Sequence, residues 1–340
     1  MGDHDEVICP NCRTNLLRKE RTGRRCSRCH KTFALEPKED HFGMHDERMR
    51  RLVDKLRDDQ DLRYTGRQLY YAAGRKHLPS PTATWVTTFI TLGFVVLVLS
   101  IICVAAIDAV PAKIGAPGIG LALLALTVLM VLVRPWFISR ATVRMTRGYR
   151  DFRSGVIDVW RKHYGAGPPG MIPDDLPLPA VPRPRLALLC PDRATLTCLA
   201  ANDAAGAWGM ALCERIEQLP PAVPVLILHD AAVPGVDYAN RVRASLGPRA
   251  VPIGLTPAMV RKAASVTKLR ERAEPDARLP PSWTEDDRQW LREGWWTPLS
   301  ALPPARLLGV VRRGVDRIEV SADPERRTAR QVGFLTWPSS

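Results

Sequence analysis

The chain has 340 residues, carries a net charge of +14 and has a pI near 9.8. That length suits two domains of roughly 100–200 residues each, and the surplus of Lys and Arg suits an anionic partner, either nucleic acid or the lipid headgroups of an inner leaflet. Eight cysteines, only four of them in close pairs, are too few and too scattered for a disulfide-stapled secreted module, and the acidic opening MGDHDEV lacks the apolar stretch of a cleaved signal peptide.

Residues 1–40 contain Cys9-Pro-Asn-Cys12 and Cys26-Ser-Arg-Cys29. Each C-x-x-C sets two sulfurs on one tight turn, and two such turns supply the four thiolates of a tetrahedral site, so Cys9, Cys12, Cys26 and Cys29 are expected to hold a structural zinc ion (Zn2+) with no open coordination position. His4 and His30 lie close by and read as surface residues. The spacing resembles the zinc-ribbon knuckles of many bacterial proteins. Arg13, Arg18, Lys19, Arg21, Arg24, Arg25, Arg28 and Lys31 crowd the same stretch, and this basic surface could face lipid, nucleic acid or a cytoplasmic protein. The remaining cysteines, Cys103, Cys190, Cys198 and Cys213, sit in apolar runs and read as buried reduced thiols.

In residues 41–83, Met49, Leu52, Val53 and Leu56 recur at helical spacing and predict an amphipathic helix over 46–59. A second helix is predicted to start at Thr65, with Gln68 closing a capping box. The string Tyr64-Thr65-Gly66-Arg67-Gln68-Leu69-Tyr70-Tyr71 resembles the tyrosine-bearing helix of the winged-helix domain in the topoisomerase VI A subunit and its relatives, the meiotic break-forming transesterases. The resemblance implies Tyr71 as a nucleophile on a DNA phosphate and Arg67 as its phosphate-side partner. The bland reading is two aromatic residues packing a helical pair.

Residues 84–138 read as a transmembrane hairpin. From Trp85 to Ile107 there is no charged residue, and about 20 apolar residues suffice to span the hydrocarbon core. A second apolar stretch runs from Gly118 to Val133 and on through Trp136 and Phe137, after the proline- and glycine-bearing turn 108–118. Arg75 and Lys76 precede the hairpin, and Arg134, Arg140, Arg144, Arg147, Arg150 and Arg153 come after it, against Lys113 in the turn. The positive-inside rule therefore places both termini in the cytoplasm of a two-pass protein of the plasma (inner) membrane.

A basic juxtamembrane helix is expected over 139–164, and a proline-rich linker over 165–185 that runs extended and separates the membrane part from the C-terminal domain. From 186 to 340 the pattern changes class. Strands are predicted at 185–190, 223–229 and 251–255, and helices at 194–202, 210–219, 236–246, from Pro257, at 285–293 and at 304–314. Strands alternating with helices argue for a small parallel sheet covered on both faces, whose ligands bind where the strands end, near His229 and Asp230. The segment from Leu226 to Gly235 resembles the D-x-D-x-x-G end of a Toprim domain, with Asp230 and Gly235 matching and Ala232 in place of the second acid. Where that family carries a glutamate after its first strand, this chain has Cys190-Pro191-Asp192, which leaves Asp192 as the stand-in. The fold expected is thus multidomain α/β, with a zinc ribbon, a two-helix transmembrane hairpin and a Toprim-like, Rossmann-like C-terminal parallel sheet. The leading functional expectation is a membrane-anchored, non-catalytic binder of a partner such as nucleic acid. The rivals are a metal-dependent tyrosine DNA transesterase using Tyr71, Arg67, Asp230 and Asp192, and a membrane scaffold with a ligand-sensing α/β domain.

Overall fold

The computed structural model describes residues 6–40, 42–106 and 112–322, so His4 and the C-terminal stretch after Ala322 lie outside the described residues. Strands β1 (Glu6–Ile8) and β2 (Asn15–Leu17) form an antiparallel pair with Val7 opposite Leu16. Below them the Arg21 guanidinium is buried and donates to both oxygens of Glu36, at 2.9 and 3.2 Å, and to the Leu16 carbonyl. Arg21, counted among the basic surface residues from sequence, is thus internal. The chain then enters α1 (Asp46–Arg57), where the Asp46 carboxylate accepts the amides of Ala34 and Leu35 at 3.0 and 2.8 Å.

Met49, Val53 and Leu56 form the buried stripe of α1. They pack with α2 (Gly66–Gly74), which comes after the short strand β3 (Tyr64–Thr65), and with a continuous helical run made of α5 (Tyr149–Phe152), a π turn (Arg153–Ile157) and α6 (Asp158–Tyr164). Phe42 meets Phe152 edge-on with ring centres 4.9 Å apart, and the Tyr70 hydroxyl donates to the Arg147 carbonyl. The basic stretch 139–164 therefore shares one core with 41–83, although about seventy residues of chain separate α2 from α5. At Thr65 the capping box is complete: Gln68 Oε1 accepts from the Thr65 amide, and the Thr65 hydroxyl accepts from the Gln68 amide.

Between α2 and α5 the chain makes α3 (Pro81–Ala106) and α4 (Ala112–Arg140), which pack against one another. Trp85 near the start of α3 meets Phe137 near the end of α4 at 4.9 Å, so the two helices run antiparallel. Helix α4 already begins at Ala112 rather than Gly118, which shortens the predicted turn; residues 107–111 lie outside the described residues. Among the described residues one helical stretch is long and apolar enough to cross a membrane, and its apolar window is almost wholly uncovered by the rest of the protein. Ile90, Phe94 and Leu99 of α3 and Leu121, Leu124, Val131 and Leu132 of α4 are exposed.

The C-terminal domain is a parallel sheet of β5 (Leu186–Leu189), β6 (Met210–Cys213), β7 (Val225–Ile227) and β8 (Ala250–Pro252), in spatial order β6-β5-β7-β8. Alternation along the strands sends Leu186, Leu188 and Leu226 to one core, with α7 (Arg193–Ala201), α8 (Ala204–Trp208), α10 (Pro257–Arg261) and α12 (Pro304–Ala322), and Ala187, Leu189, Val225 and Ile227 to the other, under α9 (Val233–Leu246). Residues 210–219, predicted as a helix, instead begin with the edge strand β6. A short apolar run has no distinguishing period, and the Met210–Cys213 backbone groups find their partners across the sheet in Leu186–Leu189.

The proline-rich stretch 165–185 is extended but docked. Its strand β4 (Met171–Ile172) pairs in parallel with β3, and the Asp174 carboxylate accepts the Tyr149 hydroxyl at 2.5 Å and the Arg67 amide at 3.3 Å. A second tie runs through the hairpin of β9 (Leu269–Arg270) and β10 (Trp295–Trp296), which flanks α11 (Glu285–Arg292). Arg270 is 4% exposed. It donates to the carbonyls of Ile138 (2.5 Å), Ser139 (3.2 Å) and Glu293 (3.0 Å), and its backbone pairs with Val143. The last carbonyls of a helix have no partner within it, and here the α/β domain supplies one. Arg270→Met keeps the apolar stem and removes these donors, so it is expected to lower stability by roughly 1–3 kcal/mol for the buried acceptors left unpaired, and to make the bonds around residues 139–143 the first to be cut in limited proteolysis. Unchanged melting and cleavage would show that the tie carries no load.

Candidate functional site

Two places in the molecule gather chemistry-bearing side chains. The first is the cysteine quartet. The Sγ atoms of Cys9, Cys12, Cys26 and Cys29 all lie within 4.8 Å of one another, with Cys9 to Cys29 and Cys12 to Cys26 each at 3.7 Å. Four thiolates about 2.3 Å from a common centre stand about 3.8 Å apart along the edges of a tetrahedron, so the sulfur spacing fits a tetrahedral metal. Each knuckle is built alike: the residue after the second cysteine, Arg13 or His30, has φ of 58° and donates its amide to the first cysteine's carbonyl. Amides also point at sulfur, from Asn11 to Cys9 at 3.5 Å and from Cys29 to Cys26 at 3.4 Å, which orients ligands and stabilises thiolate charge. The cluster is compatible with a zinc ribbon. His30 is exposed, outside the quartet. Cys190, Cys198 and Cys213 are buried free thiols, and burial pushes each upward, Cys198 to about 12, which keeps them protonated and inert. The side chain of Cys103 lies outside the described residues.

The second place is the crevice at the carboxyl ends of the two central strands. The chain leaves β5 toward β6 on one side while β7 lies on the other, so β5 and β7 flank the switch point where open α/β sheets bind ligands. Asp192 comes after β5 and Asp230 after β7. Asp192 Oδ2 accepts the hydroxyls of Thr195 (2.5 Å) and Ser300 (2.6 Å), and Asp230 Oδ1 accepts the Leu299 amide (2.7 Å). Both carboxylates thus hold the 3-10 turn Leu299–Ala301. Burial raises the Asp230 carboxyl to about 6, with the Leu299 amide pulling it back and the charge of Asp192 adding to the rise.

Helix α2 closes the same region. Gln68 Nε2 donates to the Leu302 carbonyl at 2.8 Å, and the Thr267 hydroxyl donates to the Tyr71 carbonyl at 3.0 Å. Tyr71 packs edge-on to Tyr70 with ring centres 5.0 Å apart. Burial pushes its hydroxyl up to about 12; the neighbouring Tyr70 and the charges of Asp230 and Asp192 push the same way, and Arg67 opposes them. Arg67, Asp192 and Asp230 therefore each lie within electrostatic reach of Tyr71. Arg67 itself stands over the Tyr149 ring at 5.6 Å. The strands of this helical unit are β3 and β4, paired in parallel, and no antiparallel wing is present among the described residues.

The Toprim-like string has a structural reason at one end. A Cβ on Gly235 would come 2.7 Å from the Asp230 carbonyl oxygen, so only glycine lets α9 begin this close to the loop after β7. Ala232 is the residue before α9 and brings no carboxylate. Among the described residues the cysteine quartet is the one group of three or more ligand atoms placed for a metal ion. Ser300 and Thr195, which help complete the crevice, carried no signal in sequence, and Gln68 was marked there only as a cap: Ser300 lies 108 residues from its partner, and nothing local marks it.

For the ribbon, purified full-length protein is expected to carry about one zinc per chain by elemental analysis, and Cys26→Ser with Cys29→Ser to lose it and expose residues 6–35 to protease, since in so small a unit metal binding is folding energy. A metal-free protein with a protected ribbon would refute this. For the crevice, the folded chain holds the Asp230 proton more tightly than an unfolded chain does, because about 6 lies above the ordinary 3.8. The ionised carboxylate thus opposes folding, an effect absent below about pH 4 and complete above about pH 6. Asp230→Asn keeps an acceptor for the Leu299 amide and is expected to gain up to about 3 kcal/mol over wild type near pH 7.5 and nothing near pH 4. Equal differences in denaturant stability at the two pH values would sink that account. Comparisons of the chain with protein families, with curated proteins and with solved structures found no match.

Proposed function

We propose that the protein is a two-pass, membrane-anchored zinc-ribbon protein with both termini in the cytoplasm, and that it binds a partner without catalysing a reaction. The observation that carries this reading is the use of the crevice carboxylates. Asp192 and Asp230 commit oxygens to Ser300, Thr195 and the Leu299 amide, which suits a structural junction. Each keeps one oxygen open, but among the described residues no third ligating side chain joins the two carboxylates to help fill an octahedral magnesium shell. Tyr71 is a poor nucleophile when its hydroxyl is pushed up to about 12. The membrane arm of the proposal is supported by the uncovered apolar surface of α3 and α4 and by the Arg and Lys residues at the open end of the hairpin. Four cysteine ligands support a structural zinc.

The partner surface is the outer face of the ribbon, where Arg13, Arg18, Lys19, Arg25, Arg28 and Lys31 are exposed while Arg21 and Arg24 are taken by Glu36 and Glu39. Such a face attracts nucleic acid or an anionic leaflet through counterion release and surface potential. The rival reading, a metal-dependent tyrosine DNA transesterase, is favoured by one observation, the electrostatic proximity of Tyr71 to Arg67, Asp192 and Asp230.

A reporter active only outside the cytoplasm is expected to give signal when inserted at Lys113 and none when fused after Ser340; the opposite pattern would overturn the topology. Purified protein with magnesium or manganese is expected to leave supercoiled plasmid intact, and weak DNA retention, if present, to collapse as salt rises. Metal-dependent nicking that disappears in Tyr71→Phe would establish the transesterase instead.

A further inference from the structure

A cavity of about 230 Å³ opens at the carboxyl ends of β7 and β8, one strand over from the Asp192 and Asp230 crevice. Its floor is His229, 5% exposed, and its walls include Gly254, Thr256 and Trp283, with Arg313 and Arg317 of α12 at the mouth. The size is below the ~300–1,000 Å³ of drug-sized pockets, which limits any occupant to a small molecule.

The chemistry of the floor is set by one hydrogen bond. His229 Nδ1 stands 2.8 Å from the Asp230 carbonyl oxygen. A carbonyl only accepts, so Nδ1 carries the proton. Burial lowers the imidazole below its ordinary pKa and keeps it neutral. Nε2 is therefore left as a lone-pair acceptor, and it wants an O–H or N–H donor. The ring is held in place by the chain beside it: a Cβ at Gly254 would fall 2.1 Å from His229 Cδ2 and 2.2 Å from Nε2. At the mouth, Arg313 and Arg317 lie one helical turn apart; Arg317 is already engaged elsewhere, while the Arg313 side chain is exposed. Helix α12 can bring them there because Gly314 sits against Ile253, where a Cβ would come 2.7 Å from Cγ2. An exposed guanidinium at the mouth of a cavity suits a phosphate.

From this placement we infer that the cavity is a binding site for a small hydroxylated phosphate ester, whose phosphate meets Arg313 and whose hydroxyl donates to Nε2 of His229. Thr256 offers a further hydroxyl, and Trp283 an apolar wall for the carbon skeleton. The site is independent of the ribbon, the metal and the crevice carboxylates. Because the same histidine bonds the Asp230 backbone, an occupant would bear directly on the loop that holds the Leu299–Ala301 turn.

The test is calorimetric titration of the full-length protein, in lipid-free detergent so that no headgroup competes, with glycerol 3-phosphate and ribose 5-phosphate. At least one is expected to saturate the protein. Arg313→Ala and His229→Phe are each expected to weaken that binding tenfold or more, and glycerol and ribose to bind negligibly. Arg313 is on the surface, so its variant keeps the test decisive even where His229→Phe fails to fold. The site is refuted if neither phosphate saturates the protein, if Arg313→Ala or folded His229→Phe leaves the affinity within twofold, or if the neutral polyols bind as tightly as their phosphates.

Discussion

A buried arginine joins the two halves of this molecule. Arg270 arises from a two-residue strand of the α/β domain, yet its guanidinium completes the end of α4 by donating to Ile138 and Ser139, and its backbone pairs with Val143. A helix end without such donors would leave carbonyls unpaired beside a packed domain. The same side chain is also braced at 5.3 Å over Trp295, on the partner strand β10. One side chain thus links the end of α4, through two carbonyls, to the α/β domain, where Glu293 supplies its third acceptor.

From that tie a continuous set of bonds leads into the crevice. Strand β10 continues to Thr297, which pairs with Ala231, and then to Leu299 and Ser300, which bond Asp230 and Asp192. Gln68 joins α2 to the same turn through Leu302. The helical unit and the sheet meet at a single 3-10 turn, and two carboxylates hold it. Proximity of Tyr71 to those carboxylates is a consequence of this convergence, and it arises whether or not the residues share a reaction. Asp230 pays for its place there with a raised pKa, the signature of a charge kept partly out of water.

Much of the local structure was legible in the residues. The cysteine spacing predicted a quartet whose sulfur distances fit a tetrahedron. Thr65 and Gln68 form the capping box their spacing implies, and the strands after Arg185 and Val223 lie side by side at the centre of a parallel sheet. Met210–Cys213 misled because four apolar residues carry no period, and an edge strand is defined by its neighbour. Arg21 misled because composition counts a guanidinium as surface charge, whereas Glu36, fifteen residues on, takes it into the interior.

The sequence by itself determined the cysteine quartet, the apolar helices, the alternation of strand and helix, and the placement of Asp192 and Asp230 at strand ends. Those features depend on residue type and on spacings of a few residues, which local geometry converts directly into turns and periods. Only the tertiary structure decided that Ser300 and Leu299 occupy the carboxylates, that Arg270 finishes α4, that the proline-rich stretch is docked, and that His229 presents an acceptor to a cavity walled by α12. Each of these rests on partners brought together by packing from distant parts of the chain, where no local pattern in the residues marks which group will meet which.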